Sequence, residues 1–267
     1  MPGWFGSLGL EFVLLLFVSL VGYSARVAQE QFRAWWQRRT LGQFFGLPDA
    51  TVTIVHGAIY DRERQALNYA AADPRSARAI ASLFNRFHMR EGKDFEIVSE
   101  ADPREDQEGK EVEVLSNSDV SQYEGLWDRN VVLIGGPRRN PVLDSVLPHL
   151  TALPFEMKFD RTTRQTLLTD VHRHQQLKGS RDNPEHKNGG TYDYGLIASV
   201  PNPRNPMRRL VIVAGIHGIG TVGAAQFVAQ VDNLKTLKRR AKNGVVAVPL
   251  LVRYKPGNEN PVSYELC

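Results

Sequence analysis

Hydrophobic positions along the chain fall into one long unbroken run and a series of short ones. The long run is Trp4–Tyr23, whose centre, Phe12–Val21, reads FVLLLFVSLV with Ser19 as its one polar residue. About twenty residues at 1.5 Å rise match a hydrocarbon core of ~30 Å, so the run predicts an N-terminal transmembrane helix. Glu11, near one end, reaches the headgroup region. Trp4 and Phe5 on one side, with Tyr23, Trp35 and Trp36 beyond the other, suit an interfacial aromatic belt. Two readings compete: a signal peptide cut near Gly22-Tyr23-Ser24, and a buried core helix. No Lys or Arg precedes the run, which disfavours the first, and no domain precedes it to bury the second. Arg26, Arg33, Arg38 and Arg39 follow at once. The positive-inside rule then puts the C-terminal part in the cytoplasm, tethered to the lipid bilayer by a single pass.

After Gly46-Leu47-Pro48 the pattern changes. Short runs rich in Val and Ile predict strands at Thr51–Val55, Phe95–Val98, Val112–Leu115, Val131–Ile134, Tyr194–Val200, Leu210–Val213 and Val245–Val252. Being continuous rather than alternating, they suggest strands covered on both faces. Helices are expected over Arg75–Met89, Pro141–Leu150, Arg164–Gln176 and Thr221–Lys242, with Asp73-Pro74 opening the first and Gly244 closing the last. The proline-rich stretch Pro201–Pro206 reads as a hairpin or a short excursion. Ser99–Glu113 and Lys178–Thr191 read as solvated loops. The expected fold class is α/β: a Rossmann-like, mainly parallel sheet with helices on both faces. Residues 1–45 form the anchor and residues 46–267 one cytoplasmic domain.

Charge narrows the partners. Thirty-three Lys and Arg against 29 Asp and Glu leave a net charge of +4, too mild to predict a nucleic-acid binder. The lone Cys267 excludes an internal disulfide framework and suits a reducing compartment. His172 and His174 are two apart and His186 stands alone, so no metal site and no cofactor are predicted. A homo-oligomer or a protein partner stays open.

Chemistry concentrates where strands run into small-residue loops: His56-Gly57; Gly135, Gly136, Pro137, Arg138, Arg139 and Asn140; and Gly215 through Thr221. In open α/β sheets ligands bind beyond the carboxyl ends of the strands, and glycine lets backbone N–H groups approach an anion there. Gly218-Ile219-Gly220-Thr221-Val222-Gly223 is a literal GxGxxG. The acidic residue that a dinucleotide site places about twenty positions on is missing, because no Asp or Glu lies between Asp232 and Glu259. A nicotinamide dehydrogenase is therefore disfavoured, while a phosphate-bearing ligand fits. The ligand-binding candidates are Gly135, Gly136, Arg138, Arg139, Asn140, Gly215, His217, Gly218, Gly220 and Thr221; His217 and Asp193 are candidate acid–base groups.

His217-Gly218-Ile219-Gly220-Thr221 resembles the GGxGT loop of the SLOG superfamily, the Rossmann-like domains related to the lonely-guy phosphoribohydrolases, and Val132–Gly136 resembles that superfamily's earlier glycine-ending strand. The resemblance covers about fifteen residues of two loops. It implies a nucleotide-like ligand and a sensing or signalling role. The phosphoribohydrolases carry a catalytic glutamate just after the loop threonine, where this chain has Val222, Gly223, Ala224 and Ala225, so that hydrolytic route does not carry over. The expected function is a membrane-anchored sensor or effector that binds a nucleotide or similar phosphate ligand. The alternatives are a nucleotide-processing hydrolase or glycosidase and a tethered interaction module.

Overall fold

A computed structural model describes residues 4–46, 51–61, 66–68, 72–102, 127–182, 191–257 and 260–267. The chain divides into two compact units, Met1–Thr40 and Leu41–Cys267. Helix α1 (Trp4–Phe45) makes up the first unit and lends its last residues to the second. The expected N-terminal helix is thus present. The first part of its apolar run, up to Leu16, has side chains outside the described residues. Among the described residues, no helix is long and apolar enough to cross a membrane.

The second unit is built on one eight-stranded sheet, ordered β11-β10-β8-β9-β4-β1-β2 with β3 also paired to β1. Its strands are β1 (Val52–Asp61), β2 (Ala66–Asn68), β3 (Phe95–Asp102), β4 (Asn130–Ile134), β8 (Tyr192–Pro201), β9 (Arg209–Gly215), β10 (Val246–Tyr254) and β11 (Pro261–Leu266). The block β3-β1-β4-β9 is parallel throughout. Beyond β9 the pairing turns antiparallel through β8, β10 and β11. The proline-rich connection is a hairpin, joining β8 to β9. The run Val112–Leu115 lies outside the described residues.

Alternate residues of the central strands feed two separate cores, as the period of two requires. Val132, Ile134, Val211 and Val213 face a core closed by Leu41, Phe44 and Phe45 from the end of α1, by α2 (Ala72–Arg86), and by α4 (Gly218–Val228) and α5 (Val231–Arg239). Val131, Leu133, Leu210 and Ile212 face the other, closed by α3 (Pro141–Val146) and a small antiparallel meander, β5 (Phe155–Asp160), β6 (Gln165–Asp170) and β7 (Gln175–Leu177). Helices therefore lie on both faces of the sheet.

Three local expectations are corrected. The helix expected over Arg164–Gln176 is instead the meander. Asp160 and Asp170 each accept hydrogens from the backbone N–H groups two and three residues on, and the turns close on left-handed Arg164 (φ 57°) and His174 (φ 51°). Those side-chain-to-backbone bonds offer the chain an alternative to a helix. The expected Thr221–Lys242 helix is two helices, broken after Val228, and Gly244 (φ 75°) belongs to a tight turn between Lys242 and Val245 rather than to a helix cap. His56-Gly57 is not a loop: β1 runs through it to Asp61. A Cβ on Gly57 would lie 2.1 Å from the Arg139 carbonyl oxygen, so glycine there lets the segment after β4 cross the strand.

Asn140 fastens this crossing. It is fully buried, donates from Nδ2 to the Ile134 carbonyl (2.9 Å) and the Val55 carbonyl (3.3 Å), and accepts from the Leu143 N–H (3.0 Å) as the cap of α3. One side chain thereby ties β1, β4 and α3 together. Asn140→Ala removes a cap and strands two buried carbonyls, so the expected loss is about 2–4 kcal/mol. A lowered urea midpoint with an unchanged slope checks it, and an unshifted midpoint refutes the role.

Candidate functional site

The carboxyl ends of β4 and β9 open onto a cleft of about 380 Å³. Its wall includes Ala72, Asp73 and Arg75 from the start of α2, Gly136, Arg138 and Arg139 after β4, and Gly215 through Ile219 leading into α4. The meander adds Arg164, Gln165 and Thr166, and the segment after β7 adds Arg181 and Asp182. Of the residues expected from the sequence, Gly136, Arg138, Arg139, Gly215, His217, Gly218 and Thr221 line this one cleft. Two of the three glycine-containing loops thus converge; the third, His56-Gly57, is strand.

Four expected residues stand behind the wall. Asn140 spends its amide on the framework, as above. Gly135 is buried with φ +103°, a backbone conformation that favours glycine, and its N–H donates to the Val213 carbonyl (3.1 Å). Gly220 packs where a Cβ would meet the Tyr194 carbonyl oxygen at 2.3 Å, so its glycine serves helix-to-strand contact. Asp193 is buried at 2% exposure on β8. Its Oδ2 accepts from the N–H groups of Gly220 (2.7 Å) and His217 (3.2 Å), and its Oδ1 from the Tyr194 N–H (2.9 Å). The positive end of α4 is therefore already neutralised by a carboxylate of the chain itself. The expected glycine cradle does not offer the Gly220 N–H to a ligand, and Asp193 is held in a structural role.

His217 is the cap residue of α4 and stands between two carboxylates: Nδ1 lies 3.2 Å from Asp193 Oδ1 and Nε2 lies 3.3 Å from Asp182 Oδ1. Burial works against its charged form, but the hydrogen bond and charge of Asp193, with the charge of Asp182, outweigh it and raise its pKa above the ordinary value. The imidazole ties the Asp182 carboxylate to the start of α4.

The cleft's positive character comes from side chains. Arg75, Arg138, Arg139, Arg164 and Arg181 face it against Asp73 and Asp182. The Arg138 guanidinium lies over the Phe159 ring at 5.4 Å from its centre, and that stacking holds it on the meander. Five guanidinium groups suit an anion with several oxygens, because each offers a planar fork of donors. Among the described residues, no group of three or more His, Cys, Asp or Glu could hold a metal ion.

Sequence reasoning missed Arg75, Arg164, Arg181, Asp182 and, above all, Asp73, which it read only as a helix opener. Asp73 is 3% exposed, and its Oδ2 is sealed from solvent without a hydrogen-bond partner. Burial pushes its carboxyl up to about 7, against the pull of the neighbouring Arg139 charge. The Asp-Pro step at a helix start was the one available signal, and it also fits plain helix initiation.

No protein family matches the chain, and neither a curated protein nor a solved structure does.

A carboxyl raised from 3.8 to about 7 on folding binds more protons in the folded state. Its favourable contribution is complete below the unfolded pKa and disappears as pH rises through the folded one, a change of about 4 kcal/mol at most. Asp73→Asn is therefore expected to melt above the wild type at pH 8, with the gap closing toward pH 4. Melting curves across that range check it, and a pH-independent gap would refute it.

Proposed function

We propose that this chain is a membrane-anchored protein whose α/β unit binds a nucleotide or a similar phosphate ligand and acts as a sensor or signalling effector. The observation that carries the reading is the meeting of five arginines, from four separate segments of the chain, around one cleft at the ends of two parallel strands. Arg138 and Arg139 contact phosphate, with Arg75, Arg164 and Arg181 closing around it. A ligand at that position follows the general rule for open α/β sheets. The resemblance of the HGIGT and VLIGG loops to SLOG domains points to the same ligand class.

The anchor is α1. Its uncharged run, its aromatic flanks and the four arginines that follow support a single pass with the α/β unit in the cytoplasm. Phe17, Leu20 and Tyr23 expose 65%, 66% and 69% of their surface, an apolar strip that lipid would cover. The second reading, a nucleotide-processing hydrolase, has one feature in its favour: a buried carboxyl on the cleft wall, Asp73, which burial pushes up to about 7.

Calorimetric titration of the full chain with ADP tests the binding site. Arg138→Ala with Arg139→Ala removes two charge-assisted contacts and is expected to weaken ADP by about ten- to a hundredfold or more. Unchanged affinity would place the ligand elsewhere. Steady release of phosphate or adenine in the same samples would favour the hydrolase. Protease added outside intact cells is expected to leave the α/β unit whole; its digestion would overturn the orientation.

A further inference from the structure

Asp73 is an acid of the cleft wall whose surroundings the fold does not explain. A buried carboxylate oxygen without a donor costs about 1–3 kcal/mol or more, and native proteins leave few such atoms. Its own helix offers Arg75, the segment after β4 offers Arg138 and Arg139, the meander Arg164, the start of α4 His217, and the segment after β7 Arg181 and Asp182. His217 is committed to Asp193 and Asp182, and the Arg75 guanidinium donates to Asn260 Oδ1 (2.6 Å). Asp73 is thus an acid set into the wall of the cleft, with its sealed Oδ2 beside Gly135.

An anion drawn in by these guanidinium groups comes to lie beside that carboxyl. Two negative oxygens cannot share so dry a place unless a hydrogen stands between them. The hydrogen has two sources: the carboxyl itself, protonated, or the incoming anion. Monohydrogen phosphate carries one at every pH near neutrality. Sulfate, of the same shape and charge, carries none.

We propose that Asp73 makes this cleft selective for a phosphoryl group that brings its own hydrogen, the carboxylate accepting that hydrogen while the arginines hold the remaining oxygens. The proposal rests on the anion-binding reading above and narrows it. The class of ligand is a phosphate with a free P–OH, either inorganic phosphate or the terminal phosphoryl of a nucleotide in its monoprotonated form. No bond is made or broken; one proton is shared.

The test titrates the full chain with inorganic phosphate, sulfate and AMP between pH 6 and 9, alongside Asp73→Asn and Arg139→Ala. In the wild type at pH 8 sulfate must first protonate Asp73, which burial holds at about 7, so it is expected to bind about tenfold more weakly than phosphate and to lose about tenfold more per further pH unit. Asp73→Asn supplies an amide hydrogen, so sulfate is expected to approach phosphate and its pH dependence to flatten. Arg139→Ala is expected to weaken both anions, sulfate less than phosphate at pH 8, because loss of the Arg139 charge leaves Asp73 more readily protonated. AMP is a dianion without that hydrogen above about pH 6, so it is compared with phosphate at pH 6, where Asp73 is itself protonated. AMP tighter than phosphate there supports a nucleotide as the source, and AMP weaker supports the free anion. Equal phosphate and sulfate affinities in the wild type, unchanged in Asp73→Asn, overturn the role of Asp73 and leave the anion site standing. Absence of binding by all three anions overturns both. Melting curves confirm that the variants are folded, and Asp73→Ala provides a second variant without a donor, in which sulfate and phosphate converge for lack of the charge.

Discussion

The Asp193 carboxylate is the joint on which the cleft hangs. Buried charge is expensive unless fully hydrogen-bonded, and here three backbone N–H groups and an imidazole converge on one side chain. The three donors Tyr194, His217 and Gly220 belong to β8, to the turn after β9 and to the first turn of α4. Satisfying one carboxylate therefore fixes the angle at which α4 leaves the sheet. Through His217 the same carboxylate reaches Asp182, so the segment carrying Arg181 is positioned by the same charge. Were the pair broken, both the helix end and one wall of the cleft would lose their registration.

That arrangement changes what the glycine-rich loop is for. A helix N-terminus with free N–H groups is a ready anion site, and the GxGxxG spelling suggests one. Here the Gly220 N–H is taken by Asp193, and Gly220 and Gly223 pack where a Cβ would meet the Tyr194 carbonyl or the Val252 side chain. Close approach of α4 to β8 and β10 accounts for both glycines. The positive charge of the cleft comes instead from arginines on segments that the loop does not contain. The same residues thus border the cleft, with their glycines serving helix-to-strand contact rather than the anion cradle their spelling suggests.

Much of the framework was legible because local patterns decide it. Runs such as VVLI and LVIV have no polar face to expose, and they lie in the centre of the sheet with both faces covered. The meander was not legible in that way. Leu167, Leu168 and Val171 sit at spacings a helix would also use, and what excludes the helix is the pair of aspartates folding the chain back on itself. The strand break expected at His56-Gly57 failed for a tertiary reason: the glycine admits the Arg139 backbone from a segment some eighty residues away. For the site, Arg138 and Arg139 could be read beside their loop. Arg75, Arg164 and Arg181 are joined to them only by the topology of the sheet, which no local pattern spells out.

The placement of these arginines separates holding the fold from holding a ligand. Residues that fasten the sheet, Asn140 and Asp193, are buried and have their hydrogen-bonding groups occupied by the backbone. The arginines of the cleft lie on segments around the sheet rather than in its two cores. Asp73 is the exception, because it is as buried as the fastening residues yet its Oδ2 fastens nothing. A group that is costly to the fold and idle within it is understood through what enters beside it. On the proposed reading, stability and ligand binding meet at the first turn of α2, where one carboxyl bears on both.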